Sequence, residues 1–244
     1  LEATTATGGI FVSNAGALAI GNTSPGLSGV NVTGASGAVS LFATGSITIA
    51  TVNEVVTGPG DVTLNAQGPT SDINTSANGP LSINGTGLVS LTAGQDVNIG
   101  AVAGYGDTIS AGSMLITAGR DFVLRQDSFL DVNSAGTNTI LAGQDIILFN
   151  DGSNSRISTQ GGVISLTANR DIVANVQGFP ANPLLKQYTI TSTQSEQGVN
   201  TSAGANIFLT ATTGKIDLGD GINAGTAGNI ILSAATSITD VRLN

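Results

Sequence analysis

A motif that returns about every 25 residues limits this chain to a repetitive fold. The segment LTAGQDVNI at 91–99 recurs as ITAGRDFVL at 116–124, ILAGQDIIL at 140–148 and LTANRDIVA at 166–174. From the alanine of a weaker copy, Ala43, to that of the last clear copy, Ala168, five intervals cover 125 residues. The aligned positions are Asn14, Ala43, Ala66, Ala93, Ala118, Ala142, Ala168, Ala211 and Ala234. A period of this length is typical of solenoids, in which each repeat packs only against its neighbours.

Apolar and polar residues alternate on both sides of each anchor alanine. In one copy Val89, Leu91 and Ala93 are followed, after a turn, by Val97 and Ile99. Alternation with a period of two indicates a strand, so each copy predicts two strands separated by a tight turn. A third, weaker strand is expected 11 to 17 residues after the anchor, at Leu81, Ile83, Ile109, Leu130, Val132, Ile157 and Ile222.

Three short strands and three turns per repeat describe one coil of a β-helix, in which each coil forms backbone hydrogen bonds to the next. The sequence therefore predicts an all-β fold, a right-handed parallel β-helix (β-solenoid) with about nine or ten coils of roughly 25 residues. This solenoid is expected to form a single domain over 1–244. The interval from Ala168 to Ala211 is 43 residues long. Its excess length predicts, at 175–200, either a loop insertion or a degenerate coil near 188–193.

Composition excludes several classes of function. Charged residues make up 9% of the chain and the net charge is −9, so the seven scattered Lys and Arg provide no basic surface for nucleic acid. Cysteine and histidine are absent, which excludes thiolate and imidazole chemistry and the commonest zinc ligands. No apolar run approaches the roughly 20 residues that a membrane helix requires. We therefore predict no catalytic residue, no metal, no cofactor, no nucleic-acid partner and no membrane insertion.

The most regular polar column contains one aspartate per repeat, at Asp96, Asp121, Asp145 and Asp171. Carboxylates stacked about 4.8 Å apart suit calcium, and without a cation they repel one another. The alternative, which we favour, is that each aspartate accepts backbone N–H bonds within its own turn. The preceding column reads Gln95, Arg120, Gln144 and Arg170, so an arginine is expected beside the aspartates at every second coil. The paired glycines of calcium-binding nonapeptide repeats are absent.

A second group of acids is the basis of an alternative function. Polysaccharide-active β-helix enzymes, such as pectinases and lyases, need clustered carboxylates, often with a basic residue that holds an acidic sugar. The candidate cluster consists of Asp121, Asp127, Asp131, Asp145 and Asp151, with Arg125 and Arg156 nearby. Asp127 and Asp151 lie in turn-like stretches, where a solvated structural role is favoured. Because fold analogy alone is weak support, a polysaccharide-active enzyme is the alternative and not the main hypothesis.

Outward positions beside the anchors predict the character of one face. Hydroxyl residues such as Ser90, Thr92 and Thr167 are frequent there, a pattern that suits binding to ice or another crystal. Five apolar residues interrupt the array and together predict a lateral contact strip, namely Phe42, Leu115, Leu141, Phe208 and Ile231. The tripeptide at 130–132, Leu-Asp-Val, is similar to a short integrin-binding motif, but its position in a strand favours a structural role.

The copies of T-A-G-[QR]-D-ϕ-x-ϕ at 92–99 and 117–124, where ϕ is apolar, carry a family resemblance. They resemble the β-helix repeats of filamentous-haemagglutinin-like exoproteins, which are exported by two-partner secretion, and the likeness extends over about residues 10–243. The resemblance implies a rod that is secreted or held at the bacterial cell surface, with a host-cell or carbohydrate ligand. We therefore expect a non-catalytic extracellular solenoid with a structural or adhesive role.

Both ends of the sequence read as open coils. Coil-like sequence is under way by Ile10, and 229–244 reads as strand up to the last residue. An open strand edge is a template for the addition of another strand. The expected partner is therefore a further coil, supplied either by end-to-end stacking of copies or by the continuation of a longer rod.

Overall fold

The computed structural model describes residues 1–21, 26–49, 54–75, 81–100, 106–125, 127–149, 155–176, 188–191, 204–218, 222–225 and 227–240. All of the regular secondary structure in these ranges is β-strand. The alternation of Val, Ile and Leu with Thr, Ser and Asn accounts for this, because it buries every second side chain of an extended chain.

The strands, in chain order, are β1 (Ala3–Thr5), β2 (Ile10–Asn14), β3 (Leu18–Ile20), β4 (Val30–Val32), β5 (Val39–Ala43), β6 (Ile47–Ile49), β7 (Val55–Gly58), β8 (Val62–Ala66) and β9 (Ile73–Thr75). They continue with β10 (Ser82–Gly85), β11 (Leu88–Ala93), β12 (Val97–Ile99), β13 (Thr108–Ala111), β14 (Ser113–Ala118), β15 (Phe122–Leu124), β16 (Phe129–Val132), β17 (Asn138–Ala142) and β18 (Ile146–Phe149). The last are β19 (Ser155–Thr159), β20 (Ile164–Ala168), β21 (Ile172–Val176), β22 (Tyr188–Thr191), β23 (Ile207–Ala211), β24 (Ile216–Leu218), β25 (Ile222–Asn223), β26 (Ile230–Ala234) and β27 (Ile238–Asp240).

These strands form three parallel sheets, and in the described residues each sheet has nine strands. Sheet A runs β1-β4-β7-β10-β13-β16-β19-β22-β25, sheet B runs β2-β5-β8-β11-β14-β17-β20-β23-β26, and sheet C runs from β3 to β27 in the same steps of three. The chain therefore visits the three sheets in turn, and each strand pairs with the strand three places later. The predicted all-β parallel solenoid is confirmed. The right-handed winding and the number of nine or ten coils stay predictions.

The anchor alanines set the register of sheet B. Asn14 pairs with Ala43, Ala43 with Ala66 and Ala66 with Ala93, and the same column continues to Ala234. The glycine that follows the alanine allows neighbouring turns to approach closely. A Cβ on Gly119 would overlap the carbonyl oxygen of Gly94, one coil earlier. The anchor position therefore marks the end of each described sheet B strand, and in three copies the glycine after it, Gly94, Gly119 or Gly143, begins a tightly stacked turn.

The core lies between the three sheets and is a stack of aliphatic side chains. Ile83 of sheet A, Leu91 of sheet B and Ile99 of sheet C come from one coil, and all three are fully buried in the same cluster. Along β5, β8, β20 and β23 buried residues alternate with partly exposed ones. Each buried Leu or Ile contributes roughly 1.5–3 kcal/mol relative to exposure, so the repeated column supplies most of the stabilisation.

The 43-residue interval contains one strand of sheet A. Strand β22 pairs with β19 on one side and with β25 on the other, so Tyr188–Thr191 takes the third-strand position of its coil. The rest of the interval where a loop insertion or a degenerate coil was predicted, residues 177–187 and 192–203, lies outside the described residues. That choice stays a prediction.

Candidate functional site

The aspartate column lies at the turns from sheet B to sheet C and forms a ladder of hydrogen bonds along the solenoid. Asp96 Oδ1 accepts the backbone N–H of Asp121 at 3.1 Å, and Asp121 Oδ1 accepts that of Asp145 at 3.0 Å. Equivalent bonds join the pairs Asp72 and Asp96 at 3.0 Å, Asp145 and Asp171 at 3.1 Å, and Asp171 and Lys215 at 2.8 Å. Each aspartate carboxylate therefore forms a hydrogen bond to the backbone of the next coil.

This arrangement corrects the prediction that each aspartate bonds within its own turn. The N–H groups of the turn are already bound to the preceding coil. In the turn of Asp96, Gly94 N–H donates to Ala66 O at 2.9 Å, and Gln95 N–H donates to Ser71 O at 2.9 Å. The backbone N–H that binds the Asp96 carboxylate is therefore that of Asp121, which lies directly above it in the next coil.

Arginines neutralise the ladder at alternate coils, as the sequence predicted. Arg120 Nε donates to Asp96 Oδ1 at 2.8 Å, its Nη2 contacts Asp96 Oδ2, and Nε lies 3.4 Å from Asp121 Oδ2. Arg170 Nε donates to Asp145 Oδ1 at 2.8 Å, and this guanidinium holds the pKa of Asp145 below its ordinary value. The pKa of Asp121 is raised, mainly by burial and also by the charges of Asp96 and Asp145. Within the described ranges, no three acidic side chains are grouped so as to hold a metal ion.

The structure does not bring the predicted enzyme cluster together. Asp121 and Asp145 lie in the ladder between sheets B and C, whereas Asp131 lies on sheet A. Asp131 is held by Arg156, with contacts of 2.8 Å and 2.5 Å, and by the Ser158 hydroxyl at 2.6 Å. The remaining members are Asp127, in the connection from sheet C to sheet A, and Asp151, which lies outside the described residues. Arg125, proposed to hold an acidic sugar, stacks on the Phe149 ring at 4.8 Å.

The tripeptide at 130–132 lies inside strand β16. Leu130 and Val132 are core residues with 0% and 1% exposure, and Asp131 between them forms the ion pair with Arg156. An integrin-type motif needs an accessible loop, and here two of the three side chains are inaccessible. The structural interpretation of this segment is therefore the one that the geometry supports.

The five outward apolar residues of sheet B do not form one strip. Leu115, Phe208 and Ile231 belong to one outward column, and Phe42 and Leu141 belong to the other. Phe208 and Ile231 pair directly, but the polar coil of β20 separates them from Leu141. The prediction of a single lateral contact strip is wrong, because the five residues occupy two columns, one and three residues before the anchor position.

A groove of about 500 Å³ lies where sheet A turns into sheet B, and the sequence analysis did not find it. Its shape follows from the turn lengths. Six residues separate β4 from β5 and five separate β16 from β17, whereas three, two and one residues connect the sheets at the intervening coils. Asn133 and Ser134 of the longer turn after β16 form one end, Val32 of β4 lies at the other, and the short turns contribute to the floor between them. The floor includes Gly58, Gly85 and Gly112.

Small polar side chains line the sheet A side of the groove. Thr57, Asn84 and Ser110 occupy one outward column in successive coils and are half-buried. The same column along the whole sheet reads Thr4, Asn31, Thr57, Asn84, Ser110, Asp131, Ser158, Thr191 and Asn223. A sequence signal exists for part of it: predicted third-strand positions are followed directly by Asn84, Ser110, Asp131, Ser158 and Asn223. The signal is weak because the sheet A strands are short and unevenly spaced.

Asp107 is a buried acid that the sequence analysis also missed. Its side chain is 1% exposed, at the start of the sheet A strand β13. Asp107 Oδ2 accepts the Thr75 hydroxyl at 2.5 Å and the Gly100 N–H at 3.0 Å, whereas its buried Oδ1 has no hydrogen-bond partner. Burial raises the pKa of this carboxyl to about 6. The group titrates close to neutral pH inside the solenoid.

Asn138 is a polar residue in an otherwise apolar core column. It pairs with Met114 on one side and Ile164 on the other, and it is fully buried. Its Nδ2 donates to Leu130 O at 3.3 Å, and its Oδ1 has no partner. A half-satisfied amide in a core is a destabilising feature.

The chain matches no family model, no curated protein and no solved structure. The described part of the chain contains no helix that is long and apolar enough to cross a membrane.

Proposed function

We propose that this chain is a non-catalytic segment of an extracellular rod, secreted or displayed at a bacterial cell surface, with a structural or adhesive role. The rod extends by the stacking of one coil on another. The filamentous-haemagglutinin-like character of the T-A-G-[QR]-D repeats supports this proposal. The observation that carries it is the exposure of core positions in β26 and β27, the last described strands of sheets B and C.

Core positions are exposed in these last strands. Ile230 and Ile238 are 44% and 48% exposed, although their paired neighbours Ile207 and Ile216 are fully buried. The difference arises because no described strand covers β26 and β27 on their outer side. Exposed aliphatic side chains on an outer strand favour the addition of a further strand. Another coil, from the same polypeptide or from a second copy, would bury Ile230 and Ile238 as Ile207 and Ile216 are buried.

The experiment compares assembly of the 244-residue chain with that of end variants, by light scattering after size exclusion and by negative-stain electron microscopy. We expect linear, concentration-dependent assemblies. The double variant Ile230→Glu/Ile238→Glu should prevent them, because it places charges where the next core column would lie. The matched control is Ser233→Glu, which puts a carboxylate on the outward face of β26.

Two results would contradict the proposal. Wild-type chain that stays monomeric at all concentrations would argue against assembly between copies. Release of reducing or unsaturated sugars from pectin-like polymers would argue for the polysaccharide-active alternative and against a non-catalytic rod.

A further inference from the structure

We infer that the groove between sheets A and B binds a linear, uncharged oligosaccharide. The inference rests on the proposed function, because it gives an adhesive, non-catalytic rod a defined ligand site. Its basis is the juxtaposition of a bounded trough with three polar side chains, Thr57, Asn84 and Ser110, that are spaced one coil apart.

The groove has the size and the elongated form that an oligosaccharide needs. It spans four coil intervals from β4 to β16, or roughly 19 Å at about 4.8 Å per interval. Its volume of about 500 Å³ lies within the roughly 300–1,000 Å³ of small-molecule sites. Asn133 and Ser134 of the longer turn at 133–137 close one end and Val32 lies at the other, so the site holds a few sugar rings along the solenoid axis.

The polar groups of the groove are available to a ligand. In the part of the chain that the structure describes, the side chains of Thr57, Asn84 and Ser110 have no hydrogen-bond partner. Two hydroxyls and one amide provide both donors and acceptors, as sugar hydroxyl groups require. Their repeat along the axis allows successive rings of a glycan to meet equivalent partners.

The surroundings of these groups are already fixed. The Thr86 hydroxyl is bound to the carbonyl oxygen of Pro59, and the Ser134 hydroxyl donates to Gly112 O at 2.6 Å. Both bonds join neighbouring coils. The floor and one end of the groove are therefore held in place before any ligand binds, which lowers the entropic cost of binding.

Charge favours an uncharged ligand. No lysine or arginine among the described residues lines the groove, and the net charge of the chain is −9. The nearby carboxylates are engaged, since Asp131 binds Arg156 and Asp61 Oδ1 accepts the Leu88 N–H at 2.8 Å. An acidic polysaccharide would meet no cation among the described residues that line the groove.

An extended peptide is a poorer candidate for this groove. Peptides that add to sheets use the free backbone groups of an edge strand. Here the floor strands β7, β10 and β13 each pair on both sides, so their backbone groups are already used. Recognition must therefore come from side chains, and those present are hydroxyl and amide groups.

The test is titration calorimetry of the full chain with cellohexaose, laminarihexaose and chitohexaose, and with hexagalacturonate as the acidic counterpart. We expect saturable binding of at least one neutral hexasaccharide. The double variant Thr57→Val/Asn84→Leu removes polar groups while changing the side-chain volumes little. It should lower the affinity roughly tenfold, the loss expected for two ordinary hydrogen bonds. The matched control, Thr63→Val/Ser90→Ala, changes outward residues of the same two coils on sheet B and should keep the wild-type affinity.

Three outcomes would overturn the inference: no binding of any neutral hexasaccharide, equal affinities of the groove variant and the control, or a preference for hexagalacturonate. Mass spectrometry of the sugars after the titration separates this result from the proposed function. Cleaved sugars would contradict the non-catalytic role, whereas intact sugars that do not bind would contradict only the groove assignment.

Discussion

Replacement of Asp107 by asparagine tests whether a buried carboxylate limits the stability of this solenoid at neutral pH. The pKa of Asp107 is raised from 3.8 to about 6 in the folded chain, chiefly because the side chain is buried. Between these two values the folded state binds the proton more tightly than the unfolded state does. The contribution of Asp107 to the free energy of unfolding is therefore most favourable at acidic pH and falls as the pH rises from about 4 to about 6.

The size of the effect follows from the shift. At 1.36 kcal/mol per pKa unit, a rise from 3.8 to about 6 corresponds to a loss on the order of 3 kcal/mol above pH 6. Asparagine keeps an oxygen for the Thr75 hydroxyl and the Gly100 N–H, and it carries no charge at any pH in this range. The difference in unfolding free energy between variant and wild type should therefore move by about 3 kcal/mol in favour of asparagine between pH 4 and pH 7.5.

The assay is urea unfolding of both proteins, followed by circular dichroism in the strand region, across that pH range. Asp121 and Asp145 titrate in both proteins, so their contributions cancel in the difference. Carbon-13 carboxyl NMR of the wild type provides a second measurement, in which one aspartate should titrate near pH 6. Parallel stability curves for the two proteins, or the lack of such a titration, would refute the reasoning.

Three further predictions concern the core and the ladder. Asn138→Leu should raise the free energy of unfolding by about 1 kcal/mol, because it removes a half-satisfied amide between Met114 and Ile164; a loss of stability in urea would contradict this. Ile116→Asp should lower it by about 4 kcal/mol or more, since a charge enters a fully buried column, and thermal melting would show the loss. EDTA should leave the melting temperature unchanged, because Arg120 and the Asp121 N–H already occupy the Asp96 carboxylate; a fall of many degrees would restore the calcium hypothesis.

The strands of sheets B and C could be predicted from the sequence, because two physical signals coincide there. The alternation of aliphatic residues gives the strands, and the anchor position before each turn, alanine in eight of the nine copies, gives the register. The complete pairing from Asn14 to Ala234 follows from these two signals. The strands of sheet A were harder to predict, since they have only two to five residues and follow connections of unequal length.

The sites were harder to predict than the strands, since periodicity shows which residues stack but not which atoms meet. The aspartates were expected to stack, yet the donor to Asp96 comes from the next coil and not from its own turn. The groove depends on differences between turn lengths, which no single repeat reveals. Asp107 stands where the neighbouring coil has Leu81, and Asn138 stands where the neighbouring coil has Ile164. The repeat pattern therefore predicts aliphatic residues at both positions and gives no sign of a buried polar group.

The aspartate ladder also explains how the chain tolerates such unequal connections. If one coil were wound one residue out of step, its side chains would exchange the core for the solvent, and its carboxylate would miss the N–H above it. The five hydrogen bonds from Asp72 to Lys215 therefore form only when each coil is in register, and all five lie at the turn from sheet B to sheet C. A one-residue error introduced by a connection elsewhere would break the hydrogen bond of its coil. The other two corners are consequently free to change length, and one of them does so to form the groove.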